Sequence, residues 1–253
     1  MSAGFDLRGL GVSLRGRPVF SDVTLSVRPG EMVGLIGPNG AGKTSLMRAA
    51  LGLIPCEGES SLAGLSPAAR AKTVAWMPQA REIAWPVPVE RLVALGRLPY
   101  LPARGGLPEA DRAHVDRALA RLDLQGLRHR ASSRLSGGEQ ARALIARALA
   151  QDTPVLMADE PIAGLDPAHQ ISAMRIFRDL AGEGRAVMVS LHDLGLAARH
   201  CTRLILMAGG GVMADGPPGE VLSPGRMARA FGVSVWHQET EHGPVFQPLE
   251  VVE

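Results

Sequence analysis

A glycine-rich segment that contains a lysine stands between a predicted strand and a predicted helix. The strand covers residues 31–36, and the helix begins at Ser45. The segment between them has the pattern G-x-x-x-x-G-K-[ST], in which backbone N–H groups surround phosphate oxygens and the helix dipole points at the same place. We therefore predict a nucleotide phosphate site at Gly37, Pro38, Asn39, Gly40, Ala41, Gly42, Lys43, Thr44 and Ser45.

Two side chains of this loop have a predicted role on the nucleotide. The chain contains only two lysines, Lys43 and Lys72, among 27 basic residues. A lysine in this arginine-rich chain indicates a position that the larger, planar guanidinium does not suit, and its ammonium can reach the β- and γ-phosphates. The Thr44 hydroxyl is the expected Mg²⁺ ligand. An incidental glycine-rich turn is the alternative, and the flanking strand and helix disfavour it.

Two carboxylates and a second glycine-rich turn follow further along the chain. The apolar run 154–158 predicts a strand that ends at Asp159 and Glu160, and ligands of open α/β sheets bind at the carboxyl ends of strands. Residues 136–138, Ser-Gly-Gly, open a predicted helix and so form a second anion site. Taken singly, the carboxylate pair could cap a helix and the Ser-Gly-Gly turn could be structural.

Taken together, these segments resemble the ABC ATPases, whose signature motif LSGGE is present at residues 135–139. The resemblance extends from about residue 5 to about residue 248 and implies that ATP and Mg²⁺ are the cofactors. By this resemblance Asp159 holds Mg²⁺, and Glu160 is the general base that polarises the attacking water. Gln79 matches the glutamine that contacts Mg²⁺ and the same water.

The resemblance also implies a homodimer whose two copies share their sites. His192 matches the histidine that reaches the γ-phosphate, and Asp166 matches the aspartate of the loop that crosses the dimer interface. In this arrangement each ATP is held by the phosphate loop of one copy and by Ser136, Gly137 and Gly138 of the other.

Leu14 departs from the pattern of the family. The residue that stacks on adenine in these proteins is usually aromatic, and it stands just before the second predicted strand. We therefore expect adenine to be held here by apolar contact instead of stacking.

The order of the elements predicts an α/β fold. Residues 1 to about 30 alternate apolar and polar side chains, which predicts an antiparallel β layer, and the βα units that follow predict a mostly parallel sheet. The resemblance identifies this as the ABC ATPase fold, with a P-loop NTPase core and a helical subdomain. We expect a single ABC ATPase domain over residues 1–253. Its parts are a nucleotide-binding core with the β layer (1–78 and 151–217), a helical signature subdomain (79–150) and a C-terminal tail (218–253). The tail is expected to end in a hairpin around residues 241–244.

One segment carries information about the branch of the family. Residues 96–100, GRLPY, resemble the element G-R-x-P-[YH] of ATPases that serve importers of iron–siderophores, haemin and cobalamin, and residues 216–222 and 231–233 look like the same branch. In the family this region faces the cytoplasmic coupling helix of the membrane subunit. Residues 85–89 are expected to line the groove for that helix, and the alternative is that Trp85 packs onto the core.

The composition limits the other classes of function. The chain has 253 residues, 46% of them hydrophobic, and a net charge of +2, which is too small to predict a nucleic-acid partner. No apolar run reaches the length of about 18 residues that a membrane span needs, and the first residues do not resemble a secretory signal. The two cysteines, Cys56 and Cys201, are expected to be free cytosolic thiols.

The sequence thus predicts the ATP-binding and hydrolysing subunit of an ABC importer for an iron chelate, haemin or cobalamin. It would act as a homodimer with a separate polytopic permease and a periplasmic binding protein, at the cytoplasmic face of the inner membrane. A zinc, manganese or amino-acid importer is one alternative. A soluble ABC ATPase that acts on nucleic acid is another, although such proteins usually carry two cassettes or basic arms. The signature motif and His192 disfavour a P-loop kinase or GTPase.

Overall fold

The computed structural model describes residues 4–79, 83, 85–102, 106–241 and 243–252. The strands within these residues are β1 (Phe5–Leu14), β2 (Arg17–Val27), β3 (Met32–Ile36), β4 (Glu57–Ser60), β5 (Val74–Met77), β6 (Val155–Ala158), β7 (Ala186–Ser190), β8 (Arg203–Ala208), β9 (Gly211–Gly216), β10 (Val233–Thr240) and β11 (Gly243–Val251). The α-helices are α1 (Lys43–Ala50), α2 (Pro67–Thr73), α3 (Val89–Ala94), α4 (Glu109–Arg121), α5 (Gly137–Ala150), α6 (Pro167–Gly182), α7 (Leu194–His200), α8 (Pro218–Val221) and α9 (Pro224–Phe231). Short 3₁₀ helices lie at Leu95–Tyr100, Gln125–Leu127 and Ser132–Arg134.

The central sheet of the described chain has the strand order β5-β6-β7-β3-β8-β9. The first five strands in this order, β5, β6, β7, β3 and β8, pair in parallel with their neighbours. Strand β9 pairs antiparallel with β8. Parallel neighbours need crossover connections, which the intervening helices supply. The carboxyl ends of β3, β6 and β7 meet at one edge of the sheet, so the residues that follow these strands must come together there.

Both faces of the five parallel strands are buried, and alternate side chains of these strands enter different cores. On β3, Met32 and Ile36 pack with α5, α6 and α7, whereas Val33 and Leu35 pack with α1 and with the strands β1 and β2. Because both of their faces are buried, these five strands have nearly continuous apolar sequences.

The antiparallel β layer has the strand order β2-β1-β4 and covers one face of the central sheet. The predicted layer is confirmed for β1 and β2, which lie within residues 1 to about 30. Strand β4 is an addition that the sequence analysis did not include. Its residues Glu57–Ser60 are mostly exposed and polar, because an edge strand of this kind needs no apolar face, and so the sequence carries no alternation there.

The helical region around α3, α4 and α5 is held together by the segment GRLPY. A Cβ on Gly96 would lie 2.2 Å from the carbonyl oxygen of Arg147. Only glycine therefore lets the 3₁₀ helix at residues 95–100 approach the backbone of α5 this closely.

Arg97, the next residue, is buried with 6% of its surface exposed. Its Nε donates a hydrogen bond to Asp111 of α4 at 2.7 Å, and Nη1 donates to the carbonyls of Ala150 and Gln151 at 2.9 and 3.0 Å. The ring of Tyr100 lies 4.0 Å from the guanidinium carbon. Gly96 and Arg97 therefore face inward, where they link α4 to α5. The expectation that the region as a whole faces a membrane subunit stays a prediction.

The C-terminal residues form the predicted hairpin, in which β10 and β11 pair antiparallel. Phe246 of β11 is buried in the same core as α7. Of the turn predicted at residues 241–244, His242 lies outside the described residues. Both cysteines are free thiols, and burial raises the pKa of the Cys201 thiol to about 12. No helix within the described ranges combines the length and hydropathy needed to cross a bilayer.

Candidate functional site

The glycine-rich loop follows β3 and leads directly into α1, as predicted. Gly37, Gly40 and Gly42 have positive φ angles of 149°, 81° and 95°. A Cβ on Gly37 would lie 2.2 Å from the carbonyl oxygen of Met207 on β8. The loop therefore passes too close to the neighbouring strand for any side chain at this position.

Lys43, the first residue of α1, lies across this loop. Its Nζ donates hydrogen bonds to the carbonyls of Gly37 and Pro38 at 2.7 and 3.2 Å. Burial lowers the pKa of the Lys43 ammonium from its usual range, and the nearby carboxylates of Glu160 and Asp159 act in the opposite direction. The loop thus surrounds a cation that is largely removed from water.

Thr44 and Asp159 join the loop to the end of β6. The Thr44 hydroxyl donates a hydrogen bond to Oδ2 of Asp159 at 2.7 Å. Asp159 has 1% of its surface exposed, and its backbone N–H donates to the carbonyl of Met77 at the end of β5. A carboxylate and a hydroxyl are therefore held together at the carboxyl edge of the sheet.

Glu160 and His192 form a second pair at the same edge. Nε2 of His192 lies 2.6 Å from Oε1 of Glu160. The backbone of Glu160 has a φ of 48°, in the left-handed region that residues other than glycine seldom adopt. Strained conformations of this kind cluster at functional sites, because the surrounding structure must hold them.

A cavity of about 400 Å³ unites most of these predicted residues. The apolar side chains of Leu14 and Val19 lie at its wall, with Leu14 46% exposed. Gln79 and Glu160 line it from the ends of β5 and β6. The loop residues that face it are Asn39, Gly40, Gly42, Lys43, Thr44 and Ser45.

The signature segment and Asp166 do not line this cavity; they begin two other helices. Ser136 caps α5 in a reciprocal pair with Glu139: each side chain accepts a hydrogen bond from the backbone N–H of the other. Asp166 caps α6 by accepting a hydrogen bond from the N–H of His169 at 2.9 Å, and this bond lowers the pKa of the Asp166 carboxyl. Within the described chain the two predicted anion sites are thus separate.

Ser190, at the end of β7, is a polar residue of this edge that the sequence analysis did not select. It has no exposed surface, and its hydroxyl lies between Asp159 and the backbone of Glu160. The available signal was a serine at the end of the otherwise apolar strand Ala186–Ser190, two residues before His192.

Comparisons with known proteins bear on the family and the fold of this chain. Residues 20–163 match the family model described as ABC transporter. The chain is 44% identical over 237 residues to the cobalamin import ATP-binding protein BtuD of Halobacterium salinarum, covering 91% of this chain and 59% of that relative's length. It is 41% identical over 250 residues to the hemin import ATP-binding protein HmuV of Pseudomonas aeruginosa, covering 93% of this chain and 96% of that relative.

Solved structures share the fold. A chain of an inward-facing metal-chelate type ABC transporter superposes with a TM-score of 0.86 at 21% identity, covering 99% of this chain and 98% of that chain. The ATP-binding cassette MJ0796, in a dimeric post-hydrolysis state bound to ADP and Pi, gives a TM-score of 0.74 at 25% identity and covers 85% of this chain and 98% of that chain. The predicted ABC ATPase fold is therefore confirmed. Because the family model covers more than half of the sequence and the HmuV relative aligns along nearly its whole length, this chain belongs to the ABC transporter family.

Proposed function

We propose that this chain binds and hydrolyses ATP as the ATPase subunit of an ABC importer. The observation that carries the proposal is the cavity in which the phosphate loop, Gln79 and Glu160 meet. A triphosphate needs backbone N–H donors and a cation, and hydrolysis needs a carboxylate that can accept a proton from water. This one cavity supplies both sets of groups.

In this proposal the loop and Lys43 hold the phosphates. The buried ammonium forms charge-assisted hydrogen bonds with phosphate oxygens in place of its bonds to the Gly37 and Pro38 carbonyls. The helix α1 begins at the loop and adds the positive end of its dipole. Leu14 and Val19 contact the adenine ring through apolar surface.

The groups beside the loop fit a magnesium ion. Mg²⁺ prefers oxygen ligands and is usually bound by one or two carboxylates together with substrate phosphates. Thr44 and Asp159 present such oxygens 2.7 Å apart, and Gln79 provides an amide oxygen at the cavity wall. When bound, the ion would neutralise charge that develops on the phosphate oxygens during hydrolysis.

Glu160 is proposed as the general base and His192 as the group that orients it. The carboxylate accepts a proton from the attacking water, and the imidazole 2.6 Å away fixes its direction. The left-handed backbone of Glu160 turns its side chain toward the cavity that it lines.

A second copy of the chain is proposed to complete each site. Ser136, Gly137 and Gly138 begin α5, a 14-residue helix whose N-terminus suits a phosphate anion. They do not line the cavity of their own copy, so a dimer that places this N-terminus over the partner's phosphate loop explains why one chain has two anion sites. Asp166 would lie at the interface between the copies.

A membrane partner is proposed to bind beside the residues that follow Gln79. Trp85 is 72% exposed, which excludes the alternative that it packs onto the core, and Leu98 and Leu95 are 59% and 40% exposed. Exposed apolar side chains that form a contiguous patch mark interaction sites, and we propose that these residues form such a patch. Val87, by contrast, packs partly against the core.

The segment that carries Trp85 is joined to the residues before the signature. Ser132 donates hydrogen bonds to the carbonyl of Trp85 through its hydroxyl and to that of Val87 through its N–H, each at 2.8 Å. A movement of the permease at Trp85 would therefore be transmitted to α5 and to Ser136 at its N-terminus.

The proposed cargo is an iron chelate, haemin or cobalamin. The relatives with import names support this class, although BtuD extends well beyond the aligned region. The subunit would bind a separate polytopic permease at the cytoplasmic face of the inner membrane, with a periplasmic binding protein delivering the cargo.

Growth of a strain that lacks this gene tests the proposed cargo. We expect loss of growth when a ferric siderophore or haemin is the only iron source, or when cobalamin must be taken up, and recovery with the wild-type chain but not with Glu160→Gln. A strain that uses all three nutrients normally, and instead needs added zinc, manganese or an amino acid, would show that the cargo proposal is wrong.

A further inference from the structure

The hydroxyl of Ser190 makes one hydrogen bond to each of two neighbouring residues at the catalytic edge. It donates to Oδ1 of Asp159 at 2.5 Å and accepts from the backbone N–H of Glu160 at 2.8 Å. A serine hydroxyl has one proton to donate and lone pairs to accept with, so both bonds form at the same time.

The register of the central sheet places Ser190 at this position. Strands β6 and β7 pair in parallel, with Ala158 beside Val189. The next residues along the two strands, Asp159 and Ser190, are therefore neighbours. Ser190 has no exposed surface, so water has no direct access to replace its hydroxyl.

The two bonds restrict two different degrees of freedom. The bond to Oδ1 fixes the rotation of the Asp159 carboxylate and leaves Oδ2 directed at Thr44, 2.7 Å from its hydroxyl. The bond to the N–H of Glu160 supports a residue whose φ of 48° is unfavourable for residues other than glycine. A single hydroxyl thus orients the proposed metal ligand and the proposed base together.

We propose that Ser190 is a positioning residue for ATP hydrolysis. It acts through Asp159 and Glu160 and does not touch the nucleotide. This inference rests on the proposed function. Groups that orient metal ligands typically contribute about 10- to 100-fold to metal affinity or activity. Removal of the hydroxyl should therefore weaken the use of Mg²⁺ and slow the chemical step, while the phosphate loop still binds ATP.

The test compares Ser190→Ala with the wild-type chain in two assays. In steady-state hydrolysis we expect kcat to fall about tenfold or more and the half-saturating Mg²⁺ concentration to rise about tenfold. In calorimetry we expect the ATP affinity measured in EDTA to remain within about twofold, while the gain in affinity on adding Mg²⁺ is reduced. Ser190→Thr retains a hydroxyl and should recover most of the Mg²⁺ response.

Thr153 provides a matched control. Its buried hydroxyl donates a hydrogen bond to the carbonyl of Val155 at 2.7 Å and accepts one from the N–H of Ala75 at 3.0 Å. It precedes β6, at the end of the sheet away from Asp159. We expect Thr153→Ala to lower the melting temperature about as much as Ser190→Ala, with unchanged kcat and Mg²⁺ response.

Three results would overturn the assignment of Ser190. They are a wild-type kcat and Mg²⁺ response in Ser190→Ala, an equal kinetic loss in Thr153→Ala, and a Ser190→Thr variant that melts like the wild type but is as slow as Ser190→Ala. A failure of the proposed function is distinguishable, because the wild-type chain itself would then neither bind nor hydrolyse ATP.

Discussion

Nε2 of His192 lies 2.6 Å from Oε1 of Glu160, although the two residues follow different strands of the central sheet. The contact forms because β6 and β7 are parallel neighbours whose carboxyl ends lie at the same edge. A carboxylate oriented in this way, beside a loop suited to phosphates, is the arrangement that hydrolysis of a triphosphate requires.

Lys43→Ala is predicted to weaken ATP binding without unfolding the protein. A charge-assisted hydrogen bond in a buried site is worth about 1.5–3 kcal/mol, which corresponds to roughly a 10- to 150-fold higher Kd. Calorimetric titration with ATP measures the effect. Lys72→Ala removes the other lysine of the chain and should bind ATP normally. Equal affinity of both variants would mean that the nucleotide binds elsewhere.

Glu160→Gln is predicted to form a dimer when Mg-ATP is present. The substitution removes the proposed base but leaves the phosphate loop and the N-terminus of α5 intact, so ATP persists between the two copies. Size-exclusion chromatography with and without Mg-ATP detects the dimer.

Adding Ser136→Arg to that variant should abolish the dimer, because the long side chain blocks the approach to the partner's phosphates. Ser66→Arg is the matched control, since Ser66 is an exposed N-cap of another helix, α2. A dimer that survives Ser136→Arg, or that Ser66→Arg disrupts equally, would contradict the proposed interface.

Trp85→Glu is predicted to prevent binding to the membrane partner while the hydrolysis of ATP by the isolated subunit is unchanged. A buried aromatic anchor typically contributes about 2 kcal/mol or more to an interface. Binding to inside-out membrane vesicles from the deletion strain, followed by sedimentation, measures this loss. Trp236 of the C-terminal hairpin is 44% exposed, and Trp236→Glu should bind the vesicles normally. Normal sedimentation of Trp85→Glu would exclude this segment from the interface.

Arg97→Met is predicted to destabilise the protein by about 3–5 kcal/mol, because it leaves Asp111 as a buried charge without its ionic partner. Urea denaturation measures the free energy of unfolding. Arg91→Met, at an exposed position of α3, should change it by less than about 0.5 kcal/mol. A similarly small loss for Arg97→Met would show that GRLPY does not hold the helical region together.

The sequence was sufficient to predict the parts of the site that depend on local pattern. The phosphate loop is defined by glycines, a lysine and a threonine within one short segment, and the strand and helix around it follow from apolar periodicity. The pair Asp159 and Glu160 was recognised for the same reason, since an apolar strand leads directly to both carboxylates.

The parts that were missed depend on contacts between distant segments. Ser190 reaches Asp159 only through the register of β6 on β7, which no local pattern specifies. Arg97 is buried because the 3₁₀ helix that carries it packs on the end of α5, more than 50 residues later. The polar strand β4 is fixed by pairing with β1 and has no apolar alternation of its own.

Release of phosphate from ATP by the purified chain measures whether Glu160 and the phosphate loop hydrolyse the nucleotide. Glu109→Gln serves as the control, because the Glu109 side chain is 91% exposed and lies on α4. We predict that the wild-type chain and Glu109→Gln release phosphate from Mg-ATP at the same rate. Glu160→Gln should be slower by a factor of about 100 or more while it still binds ATP. Phosphate release by Glu160→Gln at the wild-type rate would contradict the assignment of this edge of the sheet as the site of hydrolysis.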